Sequence, residues 1–442
     1  MHETSSRPVA LRGRILHCLR DPGDGGDAGA LEGFDDGLLL IEHGRVARLG
    51  PAAELLPGLP AHIEVHDHRG RLIVPGFVDT HIHFPQIDVI ASYGEQLLEW
   101  LERYVFPAER RFEDLAHGQA MAPLFLDQLL RNGTTTALAL CTVHPQSVDA
   151  LLAAAQQRGM RLIAGKVLMD RHCPEFLRDD PERAYRESKA LIERWHGVDR
   201  LAYAITPRFA PTSTEAQLEA AGRLAREHPD VYVQTHVAEN RKEVAWVASL
   251  FPWARSYLDV YDHYGLLRER AIYAHCVWLD AVDRARLAAS GAAAAFCPTS
   301  NLFLGSGLYD LAAMDAAGAC SSLATDVGAG TSYSMLRTLA EAYKVLQLQG
   351  QRLTPARALY LATLAGARAL GLAGRVGNFE PGREADAVVL DSAGTALTAR
   401  RAAVVRDHDV LEEWFALFTL GDDRNVAATY LQGAAAWERG SA

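Results

Sequence analysis

The chain has 442 residues, 49% of them hydrophobic, enough to bury a large core around one main unit with a smaller accessory part beside it. Its 44 basic and 55 acidic residues leave a formal charge of −11 with no Lys/Arg block to displace counterions, which argues against a polymeric nucleic acid partner. No run reaches the roughly eighteen apolar residues of a membrane span, and MHETSSRPVALRG lacks the basic-then-apolar order of a secretion leader, so no membrane partner and a cytoplasmic setting are expected.

In chain order, the residues up to about 74 carry short alternating runs broken by Gly and Pro (ALRGRIL, LLLIEHGRVARLG, HIEVHDHRG), which read as strands. From Val78 to Gly328, short β-branched or apolar runs then alternate with longer segments of helical period. The strand candidates are Val78–Phe84, Thr134–Leu140, Arg161–Leu168, Leu201–Arg208, Val231–His236, Ala271–Val277, Ala292–Cys297 and Cys320–Asp326. Between the first two, Glu113–Arg131 places Leu115, Leu124, Leu126, Leu129 and Leu130 at helical spacing and stops at Asn132-Gly133. Eight strands with crossover-length connections predict an α/β fold, a closed (β/α)8 TIM-like barrel over residues 75–374. Thr354–Leu372 reads as one further helix, EADAVVLD as a strand, and Val410–Trp437 as helix followed by a final strand. Residues 1–74 and 375–442 are therefore expected to meet in one small composite β domain. The six cysteines, Cys18, Cys141, Cys173, Cys276, Cys297 and Cys320, form no C-x-x-C pair and read as reduced thiols.

The chemistry concentrates at the ends of these strands. In PGFVDTHIHFPQ, His81 and His83 stand two apart on a strand and so project to one side, where both can face one ion. His236 in QTHVAEN, His275 in YAHCV and Asp326 in ATDVGAGTS close three other strands, and barrel enzymes build their sites from such strand ends. Imidazoles with one carboxylate suit zinc or iron and suit calcium poorly. Glu239, three residues beyond His236, fits two roles that can coexist: a proton shuttle, and a carboxylate answering the dipole of the helix that follows.

Several polar and aromatic residues flank these positions. Arg208 and Phe209 end the fourth strand, and Arg can pair with the carbonyl edge of a guanine-like base while a ring covers its face; a surface Arg and a core Phe is the plainer alternative. Gln86 offers donor and acceptor to a heterocyclic amide, or is simply solvated. Trp100 either roofs a planar ligand or packs a helix on the barrel. His144, after the second strand, either faces the mouth or is structural.

Taken together, PGFVDTHIHFPQ, TPRFAPT, THVAEN, AHCV, CPTSNLFLGSG and TDVGAGTS resemble the guanine deaminases of the amidohydrolase superfamily over nearly the whole chain. The tail from Gly377, GNFEPGREADAVVL, resembles that family's return into a β-sandwich domain. The resemblance implies one zinc per subunit, with iron possible, held by His81, His83, His236 and Asp326, and His275 beside the activated water. It implies that Gln86, Arg208 and Phe209, with Trp100 near, hold guanine, and that Glu239 protonates the ring nitrogen next to C2. It further implies hydrolysis of guanine to xanthine and ammonia in purine catabolism, with Glu239, Asp326 and His275 as the catalytic groups, and a homodimer. Which carboxylate makes each proton transfer stays open.

Binuclear members of the superfamily use a modified Lys at the fourth strand, where this chain has Pro207-Arg208; Lys166 in the third strand is the residue that keeps a second metal in question. Competing readings are a deaminase of a related amino-heterocycle, 8-oxoguanine or a pterin, and a non-enzymatic amidohydrolase-like scaffold.

Overall fold

The computed structural model describes residues 7–93, 97–405 and 409–440. MHETSS at the start, residues 94–96 just ahead of Trp100, and residues 406–408 and 441–442 within the expected β domain lie outside the described residues. No helix of the described residues is long and apolar enough to cross a membrane.

The amino-terminal strands are β1 (Val9–Cys18), β2 (Leu31–Glu42), β3 (Arg45–Pro51) and β4 (Glu64–Pro75). One residue beyond β4 the barrel begins with β5 (Phe77–His83), followed by β6 (Thr134–Leu140), β7 (Arg161–Gly165) and the short β8 (Val167–Leu168). It continues with β9 (Leu201–Pro207), β10 (Tyr232–Val237), β11 (Ala271–His275), β12 (Ala293–Phe296) and β13 (Cys320–Leu323). The tail supplies β14 (Ala387–Leu390), β15 (Val426–Leu431) and β16 (Ala434–Glu438).

Thr, Val and Ile crowd β5, β6 and β10 because β-branched side chains fit a pleated surface covered on both sides. The barrel strands pair in parallel in the order β13-β12-β11-β10-β9-β7-β6-β5, with β8 adding to β9. Between β13 and β5 the ring is closed by other bonds: Thr80 Oγ1 donates to the Leu323 carbonyl (3.1 Å), Asp326 N to the His81 carbonyl (2.9 Å) and His83 N to the Val327 carbonyl (2.7 Å). The expected (β/α)8 barrel is the observed fold.

The bottom of the barrel is plugged. Val78, Leu138, Ile163, Tyr232 and Ile272 form an inner apolar cluster with Ala367 and Leu370, and the Tyr232 hydroxyl donates to the Leu370 carbonyl (2.7 Å). A Cβ on Gly366 would stand 2.8 Å from the Val78 side chain, so only glycine lets this plug seat. Thr354–Leu372 is accordingly not one helix but two, Pro355–Ala362 and Leu364–Ala369. The break falls at Thr363 (φ −130°, ψ −88°), whose hydroxyl bonds back to the Leu359 carbonyl (2.6 Å) while the chain turns to bring Gly366 under the strands.

Both chain ends form a second sheet, ordered β16-β15-β14-β4-β1-β2-β3 among the described residues. It folds over on itself: Val46 of β3 and Tyr430 of β15 share one apolar cluster, and Gly382 N bonds the Val46 carbonyl (2.8 Å). After the helix Val410–Leu420 the tail makes two strands where one was expected. The reason is a two-residue turn, Gln432-Gly433, with both residues at positive φ (49° and 82°), the geometry that reverses a hairpin.

The sheet is bolted to the barrel floor by a buried ion cluster. Arg161 pairs with Glu384 through both carboxylate oxygens (2.5 and 3.1 Å), and Arg200 reaches Glu384 (3.0 Å) and Asp386. Removing one member of a buried network leaves charge without a partner. Glu384→Ala is expected to lower unfolding stability by about 3 kcal/mol, read from the urea midpoint at constant slope.

Candidate active site

With its floor sealed, the barrel is open at the carboxyl ends of its strands, and a cavity there is lined by His83, Gln86, Trp100, Arg208, Phe209, His236, Glu239, His275 and Asp326. Strands expected to run to Val277, Cys297 and Asp326 stop earlier, at His275, Phe296 and Leu323. Left-handed backbone marks several of these rims: His275 (φ 73°) ends β11 with Cys276 (53°) next to it, Asp326 (51°) lies three residues beyond β13, and Ala238 (49°) follows β10. Such backbone costs non-glycine residues on the order of 1 kcal/mol each and clusters where side chains must be aimed rather than laddered.

His81, His83, His236 and Asp326 meet. Their ligand atoms all lie within 4.8 Å of one another. The Nε2 atoms of His81 and His83 are 3.1 Å apart, and those of His83 and His236 are 3.2 Å apart. Asp326 Oδ1 stands 3.3 Å from His81 Nε2 and 3.2 Å from His83 Nε2. His236 Nδ1 stands 2.6 Å from the Arg208 carbonyl, which accepts its proton and turns the Nε2 lone pair inward. Lone-pair nitrogens this close repel unless a cation lies among them, and ligand atoms about 2.1 Å from one ion stand roughly 3 Å apart. The donor set therefore fits a divalent metal.

Burial shifts these groups in the same sense. It lowers His81 to about 4 and also lowers His83 and His236, keeping their nitrogens free to donate electron pairs. Burial alone would raise Asp326, but the imidazoles of His81 and His83 hold it well below the usual carboxylate range. His275 goes the other way: burial would lower it, and Glu239 and Asp326 raise it. Its Nδ1 stands 2.9 Å from Asn301 Oδ1, and its Nε2 lies 3.5 Å from Glu239 and 3.8 Å from Asp326.

Glu239 is buried, accepts from the Ser306 hydroxyl (2.8 Å), and burial raises its pKa. The start of helix Arg241–Leu250 does not need it. That end is capped by Asn240 and by Glu243, whose carboxylate accepts from Glu239 N (2.9 Å) and Asn240 N (3.1 Å). The Glu239 side chain is thus released toward the cavity.

Arg208 and Gln86, which also line the cavity, are buried, and Phe209 packs near Trp246 with ring centroids 6.4 Å apart. Trp100 lines the cavity and also belongs to an apolar cluster with Leu97, Leu101 and Val105, so it faces both ways. His144 sits at the start of helix Pro145–Arg158 and does not line the cavity. Lys166 points away: its buried ammonium pairs with Asp179 and lies 3.4 Å from Glu187, so it contributes nothing to the cluster.

Three residues of this site were not singled out in the sequence. Asp79 accepts from Thr325 N (3.1 Å) and Thr325 Oγ1 (2.5 Å), tying β5 to the segment that carries Asp326; its place in VDTHIH was the available clue. Asn301 orients His275, and Glu109 holds Arg208.

Comparison with known proteins agrees with this geometry. A family model described as Amidohydrolase family matches residues 72–436. A guanine deaminase from Escherichia coli is 51% identical over 433 residues, covering 97% of this chain and 98% of that one. The solved E. coli guanine deaminase superposes with a TM-score of 0.95 at 51% identity, covering 98% of this chain and 100% of that one. Guanine deaminase from Bradyrhizobium japonicum superposes with a TM-score of 0.95 at 36% identity, covering 98% and 100%. Guanine deaminase from C. acetobutylicum, solved with guanine bound in its active site, gives a TM-score of 0.87 at 26% identity, covering 97% and 99%. The chain belongs to the amidohydrolase family, on its guanine deaminase branch.

Proposed function

We propose that this chain is a guanine deaminase: it adds water to C2 of guanine and releases ammonia, leaving xanthine. The barrel, residues 75–374, carries the chemistry, and the two ends, 1–74 and 375–442, form a supporting β domain. The observation that carries the reading is one cavity in which a four-membered His/Asp donor set faces Glu239 and the Arg208–Gln86 wall.

One zinc, or iron, is the ion that His81, His83, His236 and Asp326 would hold, and when bound it supplies a water acidified toward neutral pH. Arg208 and Gln86 bind the base by its amide edge, and Phe209 covers its face. Asp326 takes a proton from the attacking water, while Glu239, kept protonated-ready by burial, gives one to the ring nitrogen beside C2. His275 steadies the charge that develops on the oxygen. A second proton passes through Glu239 or Asp326 to the amino group, which leaves as ammonia. Trp100 and the apolar residues around it keep bulk water out. A homodimer in the cytoplasm, serving purine breakdown, completes the proposal; the free state of all six cysteines agrees with a reducing compartment.

The test is an ammonia-release and absorbance assay of the zinc-loaded protein on guanine, 8-oxoguanine, adenine, cytosine and a pterin. Guanine is expected to have the highest kcat/KM. A different preferred base would keep the hydrolytic chemistry and change the substrate; no turnover with metal bound would support the scaffold alternative. Arg208→Ala is expected to raise the guanine KM by about a hundredfold and lower turnover with metal content intact, in steady-state kinetics beside metal analysis. Unchanged kinetics would remove Arg208 from the base-binding wall.

A further inference from the structure

Behind the base-binding wall lies a buried carboxylate that the mechanism above does not use. Glu109 belongs to the helix Phe106–Arg110 in the connection between β5 and β6, and it has no solvent exposure. Arg208 Nη1 donates to both of its oxygens (2.9 and 2.8 Å), and Gln86 Nε2 lies 3.4 Å from Oε1. The other end of the Gln86 amide is taken as well, since Gly328 N donates to Gln86 Oε1 (3.1 Å). Phe106 stacks beneath the guanidinium, 5.3 Å from its carbon to the ring centroid.

These contacts decide what the wall can offer a ligand. A guanidinium has five N–H donors in a rigid fork; with Nη1 engaged by Glu109, the other arm is left to point elsewhere. A carboxamide can present either end, but Gln86 is pinned with nitrogen toward Glu109 and oxygen toward Gly328. A fixed donor pattern favours a ring carbonyl at that edge and opposes an amino group, because a buried donor facing a donor is left unpaired.

We infer that Glu109 is a positioning residue for base selection: one carboxylate fixes the direction of the Arg208 fork and the orientation of the Gln86 amide, and so sets which heterocycle edge the cavity accepts. The inference rests on the reading that Arg208 and Gln86 bind guanine. Stability alone does not account for the arrangement, since buried ion pairs add little over well-packed apolar residues.

The test is a double-mutant cycle on the zinc-loaded full chain, begun only once the native protein is shown to deaminate guanine. Glu109→Gln is expected to raise the guanine KM at least about tenfold, to lower kcat by a smaller factor, and to keep its metal. In an Arg208→Ala background the same change should alter kcat/KM by less than about threefold, because the two short contacts to Arg208 are gone and only the longer one to Gln86, at 3.4 Å, remains for it to act through. If Glu109→Gln does not fold, Glu109→Asp, which keeps the charge and draws it back by one methylene, is read by the same criteria. Native-like KM, or an equal loss in both backgrounds, would overturn the positioning role. A native protein that binds metal and ignores guanine would overturn the substrate reading instead, and the two failures are told apart by that first measurement.

Discussion

Glu239→Gln is expected to cut guanine turnover by roughly a thousandfold while metal content and unfolding midpoint stay native. The substitution keeps the side-chain volume and leaves an oxygen to accept from Ser306, which now holds Oε1 at 2.8 Å. What it removes is the exchangeable proton. The native carboxyl is well suited to carry one, because burial and the nearby Asp326 charge raise its pKa, while His275 pulls the other way. An amide at that position relieves the carboxylate pair without offering acid or base chemistry, so stability should hold or rise slightly. Ammonia release followed under single-turnover conditions, beside metal analysis, is the check. Turnover within about tenfold of native would take the proton shuttle away from Glu239.

The second large effect is loss of the metal itself. His236→Ala is expected to weaken divalent-ion binding by at least about a hundredfold and to abolish measurable turnover, with the barrel still folded. The side chain closes the donor set from β10, its Nδ1 anchored 2.6 Å from the Arg208 carbonyl and its Nε2 aimed at His83. Its removal takes away one of four ligands without disturbing β10, whose main chain pairs with β9 and β11. Elemental analysis after dialysis reads the first expectation and circular dichroism the second. Retention of a full equivalent of metal by a folded His236→Ala protein would show that the ion is held elsewhere.

How much of this was legible beforehand follows from what a linear pattern can carry. The strand period of two places His81 and His83 together, and the residues that close successive strands point to His236, His275 and Asp326, because parallel barrels put their strand ends in one place. The tops of β11, β12 and β13 were placed too far along, while β10 runs one residue past His236. Apolar and β-branched content continues through Val277 and Cys297, whereas β11 leaves the ladder where His275 and Cys276 turn left-handed, a feature with no compositional mark outside glycine, and β12 gives way at Cys297 to the helix Pro298–Phe303.

Glu109 was not legible for another reason. On FPAER it has the pattern of any helix-end charge, and only the folding of that helix over the barrel mouth brings it to Arg208. The break at Thr363 was hidden likewise, since alanine and leucine on both sides favour a continuous helix and the plug beneath Val78 overrides them. Glu239 shows the converse: a helix-capping carboxylate and one that lines a cavity look alike in sequence, and only the structure shows the capping bonds being made by Glu243 while Glu239 lines the cavity.

The most direct measurement is an anomalous-difference map of zinc-loaded crystals grown with xanthine. One peak is predicted within coordination distance of His81, His83, His236 and Asp326, with the purine between that peak and the pair Arg208 and Gln86. A peak bound by other residues, or a purine seated outside this cavity, would contradict the account.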